Sequence, residues 1–579
     1  MKYSIKKQIN RAGLVMLALG FISVKPGFAQ KNSKPNIILV MVDDLGFSDI
    51  GPYGANEIET PTLDRLASEG LRLKEFYNNS ICAPTRASLL TGQYSHKAGI
   101  GYFNVNLGLP GYQGFLNKES LTIAEVLKQA GYSTLMSGKW HVGDDKDQWP
   151  NQRGFDKFFG FIGGASNYYE IGDKGRETVQ LVKNNEPYAL EKGKYLTDEI
   201  TSNALGFIDE QNKENKPFFL YLAFNAPHWP LQATDADIAK YKGRYNIGWD
   251  SLRVVRHQNA IKKGVIDANQ KIALADKQVK SWNKLTYDEQ QYWQRRQEVF
   301  AAMIDHVDQS LAKLLAKLKE LKKDDNTLIV FISDNGAQGG NGTRPYSQRI
   351  TGPVGSAGSY ETQNSNWSQT GNSPLRSYKD SPYEGGISAP FIAWYPKRIQ
   401  GNTLARGTAH LIDLAPTFYD LAGAKYPEKF NGVVTNQPAG KSLVPLLTGK
   451  TQVVERGAPL FWERAGKSAV RDGNWKLVLT PQSEGGKWEL YNLDNDRAEN
   501  KNVASEHPEI VERLQAEYKK WAERNGVVEY SKLRPVQQTT PASAAGAVGG
   551  SSRTQGGNGQ GGGRQGSGAR RAIGNFGGE

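Results

Sequence analysis

Cys82 is the only cysteine in the 579-residue chain, and it opens the run Cys82-Ala83-Pro84-Thr85-Arg86, followed by Ala87-Ser88-Leu89-Leu90-Thr91-Gly92. It cannot form half of an internal disulfide. A thiol just before a helix start, with a cation four residues on, is a candidate reagent, against the usual fate of a lone cysteine as a small buried hydrophobe. Four further stretches carry groups able to do chemistry: Asp43-Asp44, Lys139 with His141, His228, and Asp334-Asn335. Carboxylates and a carboxamide offer only oxygen, which suits a hard cation such as calcium and not zinc. Lysines neutralise developing negative charge, and histidines move protons. Taken singly, Asp-Asn-Gly is ordinary turn composition and a lone histidine is ordinarily structural; their concurrence is what points to a site.

Each of these groups follows a short apolar, β-branched run: residues 36–42, 134–136, 218–224 and 327–332. Such runs alternate with helical stretches from residue 35 to about 447, which predicts an α/β architecture with a large mixed sheet flanked by helices. Ligands in these sheets bind beyond the carboxyl ends of the strands, so one edge would gather all four groups. After residue 447 the pattern becomes short strands near 459–462, 468–471, 475–479 and 488–491, then a helix over 508–524, a smaller α+β domain of antiparallel strands.

The first thirty residues carry Lys2, Lys6, Lys7 and Arg11, an apolar run over 12–24, and small residues Gly27 and Ala29. This reads as a secretory signal peptide, too short in its apolar part to span a bilayer. The expected mature protein is therefore exported (periplasmic, cell-surface or secreted) and has no integral membrane segment. Residues 535–579, rich in Gly, Ser and Arg, predict a disordered tail. The expected division is thus 1–30 signal peptide, 31–447 catalytic domain, 448–534 C-terminal subdomain and 535–579 tail. The formal net charge is +13, yet basic and acidic residues are interspersed and no Lys/Arg block appears, which argues against nucleic acid and for a bias toward anionic substrates.

The Cys82-x-Pro84-x-Arg86 pattern running into Leu90-Thr91-Gly92 resembles the signature of type I, formylglycine-dependent sulfatases. The resemblance, to the arylsulfatase-like branch of the alkaline phosphatase superfamily, extends through Asp43-Asp44, Gly138-Lys139-Trp140-His141, Pro227-His228, Asp334-Asn335-Gly336, the run from Pro374 to Gly386, residues 241–253 and the helix around 299–318. A departure is that Ser377 and Tyr378 stand where glycines are frequent. The resemblance implies an alkaline phosphatase-like fold, conversion of Cys82 to formylglycine by a maturation enzyme, and a Ca2+ ion held by Asp43, Asp44, Asp334, Asn335 and the modified Cys82. In that scheme a hydroxyl of the hydrated aldehyde attacks sulfur and Asp334 takes its proton. Arg86 orients the hydrate, Lys139 and Lys379 neutralise sulfate oxygens, His228 protonates the leaving oxygen, and His141 draws the proton that lets sulfate depart. Phosphatase relatives commonly place histidine where Asn335 stands.

The expected function is hydrolysis of sulfate esters, most readily of a sulfated galactose or hexosamine at the end of a glycan, with aryl sulfates as surrogates. The rivals are a phosphodiesterase or phosphonate monoester hydrolase of the same superfamily, and a non-catalytic glycan-binding homologue. Tyr168, Tyr169, Trp229 and Trp367 are candidates to line the mouth, and residues 339–373 read as a specificity loop. His96 reads as structural, His306 as part of a solvated helix face, and His410 has no assigned role.

Overall fold

The computed structural model describes residues 34–169, 181–214, 216–339, 352–481, 483 and 486–533. The signal peptide and tail expected at the two ends fall outside them. In chain order the strands are β1 (Asn36–Val42), β2 (Leu71–Tyr77), β3 (Ser133–Lys139), β4 (Lys157–Phe161), β5 (Leu181–Lys183), β6 (Glu186–Pro187), β7 (Phe218–Ala223), β8 (Thr327–Ser333), β9 (Phe391–Trp394), β10 (Thr403–His410), a separate pair β11 (Lys429–Phe430) and β12 (Val433–Val434), and β13 (Val453–Val454). All but that pair form one 11-stranded sheet in the order β13-β10-β2-β9-β8-β1-β7-β3-β4-β5-β6. Its centre, β8-β1-β7-β3-β4, is parallel, while β9 runs antiparallel to both β8 and β2. The sheet is mixed, as expected, and its edge strand β13 lies beyond residue 447.

The helices are α1 (Pro61–Glu69), α2 (Cys82–Thr91), α3 (Ile123–Gln129), α4 (Leu196–Asn212), α5 (Asp235–Tyr241), α6 (Gly248–Lys262), α7 (Tyr287–Glu320), α8 (Asn364–Gly371), α9 (Glu384–Ile387), α10 (Leu414–Ala422) and α11 (Val444–Leu447). Helix α8 sits inside the segment 339–373 that reads as a loop. Side chains alternate across a strand, so β1 sends Ile37, Leu39 and Met41 to one face and Ile38, Val40 and Val42 to the other. The first face packs on α2, α3 and α10, the second on α1 and α4 to α8. Because both faces are covered, the central strands are apolar throughout.

Beyond the large sheet, β14 (Leu460–Arg464), β15 (Lys467–Asp472), β16 (Trp475–Leu479) and β17 (Glu489–Asn492) form an antiparallel sheet with α12 (Pro508–Asn525). Alternation again divides the load. Phe461, Val470, Leu477 and Leu490 pack with Leu514 and Trp521 of α12, while Leu460, Trp462, Ala469 and Val478 join the core of the large sheet. The C-terminal sheet therefore shares its inner face with the catalytic layer.

His306, expected on a solvated face of α7, is buried instead, because α4 and α5 both cross that part of the helix. Its Nδ1 lies 2.8 Å from Asp237 of α5 and its Nε2 3.2 Å from Asp198 of α4. Burial would lower its pKa, but the two carboxylates raise it from about 6.5 to about 9. A raised folded-state value stabilises the fold fully below the unfolded value and loses that stabilisation as pH rises through 9, an effect of about 3 kcal/mol. Denaturant titrations should show the wild-type protein losing roughly this much more stability than His306→Gln between pH 6 and 10. Parallel pH profiles for the two proteins would contradict the assignment.

Candidate active site

The parallel strands β8, β1, β7 and β3 are neighbours, and their register aligns their carboxyl ends. Val42 pairs with Ser333, Met41 with Ala223, and Ala223 with Gly138. The residues that follow leave the sheet together: Asp43 and Asp44 after β1, His228 after β7, Asp334 and Asn335 after β8, and His141 just past Lys139 at the end of β3. Close approach of the strands here requires Gly138, at φ +120°, since a Cβ would lie 1.8 Å from the Ala223 carbonyl oxygen.

Cys82 is the first residue of α2, preceded by Ile81 in extended conformation, and every residue of this helix is buried. Pro84 fits the first turn, where its missing N–H has no helical partner to lose. Residues i and i+4 share a helix face, so Arg86 lies one turn below Cys82. Its Nη2 donates to Asp334 Oδ2 at 3.0 Å and stands 3.5 Å from Asp43 Oδ2, while Nη1 donates to the Lys139 carbonyl and the Tyr221 hydroxyl. Thr85 Oγ1 donates to the Asp334 carbonyl at 2.7 Å. The partial positive charge of the helix N-terminus meets residue 82 from below and favours an anionic group there.

Around this axis the Lys139 ammonium donates to Asp43 Oδ2 at 2.6 Å, and Asn335 Nδ2 donates to Asp44 Oδ1 at 2.6 Å. The Lys379 ammonium lies 2.8 Å from the same Asp44 oxygen, an ion pair out of line for a hydrogen bond. Burial alone would raise the Asp43 carboxyl, but Lys139, His228 and Arg86 hold it well below the usual carboxylate range. Burial and the Asp43 charge push Asp334 up, and burial pushes the Cys82 thiol up. For Lys379, Asp44 outweighs burial and keeps the ammonium charged.

The two histidines differ in setting. His228 Nδ1 is 2.7 Å from the Trp229 carbonyl, which makes it the protonated nitrogen and leaves Nε2 facing the site, 3.6 Å from Asp44 Oδ2. Neither nitrogen of His141 has a hydrogen-bond partner among the described residues. Burial and the charges of Lys139 and Arg86 keep it neutral, as an acceptor of protons must be. Its backbone is left-handed at φ +59°, and the ring is held by the Phe103 edge at 5.0 Å and by Gly164, where a Cβ would sit 2.6 Å from the ring.

All ten residues singled out in the sequence, Asp43, Asp44, Cys82, Arg86, Lys139, His141, His228, Asp334, Asn335 and Lys379, converge here. Ser377, which stands where glycine is frequent, keeps the left-handed turn at φ +70°. Asp44, at φ +66°, is strained in the same sense. Sequence reasoning missed Tyr221, Phe103 and Gly164; the Gly163-Gly164 pair after β4 was the available signal for the last. The aromatic candidates are packing residues in part: Tyr168 is buried and donates to the Asn225 and His228 carbonyls, and Trp367 packs against Trp249 and Trp282. His96 pairs with Glu463 at 2.7 Å, and His410 Nδ1 accepts from the Ile412 amide, both structural contacts.

A family model described as Sulfatase matches residues 35–424, and a second, described as N-sulphoglucosamine sulphohydrolase, C-terminal, matches residues 378–524. The chain is 36% identical over 531 residues to an uncharacterized sulfatase of Schizosaccharomyces pombe, covering 86% of this chain and 95% of that one. It is 32% identical over 422 residues to an arylsulfatase of Klebsiella aerogenes, covering 70% and 90%. Among solved structures it resembles Ps i-CgsB in complex with k-i-k-neocarrahexaose, with TM-score 0.64 and 28% identity over 86% of this chain and 94% of that one.

Asp43, Asp44 and His228 place one potential ligand atom each within 4.8 Å of one another. Asp43 Oδ1, Asp44 Oδ2 and Asn335 Oδ1 are all buried without a hydrogen-bond partner in the structure. Three orphaned oxygens on adjoining residues fit a hard divalent cation, whose charge would offset the clustered carboxylates. Calcium added to protein stripped of divalent ions should raise its melting temperature, by the equivalent of about 2.7 kcal/mol at a hundredfold excess over Kd. Asp43→Asn should remove most of that gain. An unchanged melting temperature in the parent protein would rule out the oxygen site.

Proposed function

The chain belongs to the sulfatase family and is a sulfuric ester hydrolase, and we propose that it is an exported carbohydrate sulfatase releasing sulfate from a terminal galactose or hexosamine. In this reading Cys82 is converted to formylglycine by a maturation enzyme and the ion is Ca2+. The observation that carries it is the pairing of a buried residue 82 over Arg86 with three unpartnered oxygens from Asp43, Asp44 and Asn335. The signal-peptide pattern over residues 1–30 supports export, and the saccharide in the Ps i-CgsB structure supports a carbohydrate substrate.

Formylglycine supplies, as its hydrate, a nucleophile with a second hydroxyl through which sulfate can later be expelled, and calcium supplies a Lewis acid that favours the deprotonated hydroxyl. The remaining work falls to the chain's own groups. Arg86 fixes residue 82 from below, and Asp334, already joined to Arg86, is placed to hold the proton lost from position 82. Lys139, beside Asp43, and Lys379, beside Asp44, present ammonium groups where sulfate oxygens gain charge as the ester bond breaks. His228 Nε2 faces the site; because burial lowers the ring's pKa to about 4 and Nδ1 carries its proton, Nε2 takes up a proton when the anionic ester binds and then gives it to the leaving oxygen. His141, neutral and unpartnered, takes the proton whose removal frees sulfate. Asn335 counts against a phosphodiesterase, since its Nδ2 is committed to Asp44 where such relatives place a histidine ligand.

Mass spectrometry of the peptide carrying Cys82, from protein made in its native host, tests the reading when coupled to sulfate release from sulfated monosaccharides. A mass matching the aldehyde, with sulfate released, is the expected result. An intact thiol together with no release would defeat it. His228→Ala should lower kcat/KM by about 100-fold or more for alkyl and sugar sulfates but by under about tenfold for 4-nitrophenyl sulfate, whose leaving group needs little protonation. Equal losses across that series would remove His228 from the donor role.

A further inference from the structure

The loop that brings Lys379 to the site continues into Asp380, at φ +71°, whose amide donates to the Ser80 carbonyl two residues before Cys82. This bond ties Asp380 to the entrance of α2. Its carboxylate receives two cations from the β14–β15 hairpin of the C-terminal sheet. Arg464 Nη1 binds Oδ1, and the Lys467 ammonium donates to Oδ2 at 2.5 Å and to the Asp380 carbonyl at 2.9 Å. Two cations on one carboxylate leave a positive charge in excess.

Arg464 is itself incompletely satisfied. It is 6% exposed, and its Nε has no hydrogen-bond partner among the described residues. The guanidinium lies 5.1 Å from the Tyr102 ring centroid, and the next residue, Phe103, is the one whose ring edge holds His141. Cys82 is among the groups whose charge Arg464 feels. A cavity of about 680 Å3 is lined by Lys379, Asp380 and Lys467, with Arg253, Lys277 and Arg376 set against the acids Asp276 and Glu499; Arg464 is joined to this wall through Asp380 and does not itself line it. Lys379 is common to the reaction centre and the cavity wall. A buried guanidinium with a free N–H, stacked on an aromatic ring and paired with fewer anions than cations, is built to take one more anionic oxygen.

We infer that Lys467 at the cavity wall and Arg464 behind it, paired on Asp380, together bind a second anionic group of the substrate, a further sulfate or a uronate carboxylate on the saccharide that bears the scissile sulfate. The inference rests on the sulfatase reading and narrows its substrates to glycans with two closely spaced anions. Arg464 pairs with Asp380 and Lys467 with the same carboxylate, so the two act on recognition and not on the chemical step.

Calorimetric Kd values, measured in a Cys82→Ala background that stops turnover, decide the matter for saccharide pairs differing by one sulfate or one carboxylate. The protein as it stands should bind the doubly anionic member of at least one pair about tenfold or more tightly, as a charge-assisted hydrogen bond implies. Adding Arg464→Gln should bring that ratio close to one, and Arg464→Lys should restore part of it. Lys467→Gln, at a less buried position, gives a second reading should Arg464→Gln unfold, and should reduce the ratio in the same direction. Sulfate pairs against carboxylate pairs tell which anion is taken. Equal affinity within every pair, or a ratio untouched by both substitutions, overturns the inference. The sulfatase reading is checked apart from it, by hydrolysis of 4-nitrophenyl sulfate by the converted protein; failure there, with the affinity ratio intact, would count against catalysis and not against the subsite.

Discussion

Arg86 lies wholly buried, 3.0 Å from one carboxylate and 3.5 Å from another, and without it the Asp43 and Asp334 charges would face each other in a medium that screens them poorly. Two carboxylates so placed cannot both ionise cheaply, and a site meant to hold a cation needs them ionised. The guanidinium offsets part of this from beneath and keeps Asp43 ionised, while burial and the Asp43 charge still hold Asp334 up at about 7. Its planar fork reaches both acids while also donating to the Lys139 carbonyl and Tyr221. A lysine at this position could not span those directions. Removing one partner from such a buried cluster typically costs about 3–5 kcal/mol, so the site and the fold are stabilised by the same residue.

The second requirement is register. Asp43, Asp334 and His228 meet because β1, β8 and β7 are parallel neighbours ending at one level, and a slip of one residue would reverse the facing of every side chain along a strand. Packing on both faces of the sheet prevents that slip. Where the chain then leaves the sheet, Asp44 and His141 adopt left-handed backbone conformations that non-glycine residues avoid. Strain of about 1–3 kcal/mol at each such position persists because the surrounding contacts over-determine it. These turns leave the Asp44 carboxylate beside Lys379, Asn335 and His228, and the His141 ring between Phe103 and Gly164.

Much of this was legible from one dimension, for a physical reason. Strand-then-ligand is a local pattern: an apolar β-branched run followed at once by Asp43-Asp44 or Asp334-Asn335 places the ligand at a strand's carboxyl end with no knowledge of the rest of the chain. The Cys82–Arg86 spacing is likewise one helical turn. What escaped were contacts between segments far apart in sequence. His306 on α7 looked solvated because its own helix carries Asp305 and Asp308, whereas its partners Asp198 and Asp237 come from two other helices. Tyr221 looks like any residue of a buried strand until Arg86 arrives from 135 positions away. Gly164 matters only because the His141 ring lies against it. No period or motif encodes such meetings, since they arise from packing.

The C-terminal sheet illustrates why ionic contacts are kept where apolar ones would stabilise equally well. Lys476 of β16 is fully buried between Glu384, 2.9 Å away, and Glu499, 2.8 Å away. Glu384 also accepts from Tyr77 at 2.6 Å and pairs with Arg497, while Arg471 of β15 reaches Glu75 of β2 at 2.6 Å. Taking these charges out of water offsets much of their mutual attraction, so the network adds little net stability over a well-packed apolar interface. Its contribution is directional. Apolar faces slide past one another at small cost, whereas a displaced ion pair leaves a bare buried charge. Glu384 closes the same loop that carries Lys379 and Asp380, so the bonds that seat the C-terminal sheet also set the height of that loop over residue 82. A wall of the pocket and a lysine of the reaction centre are thereby positioned by one set of charges, and the shape of the mouth is fixed relative to the chemistry beneath it.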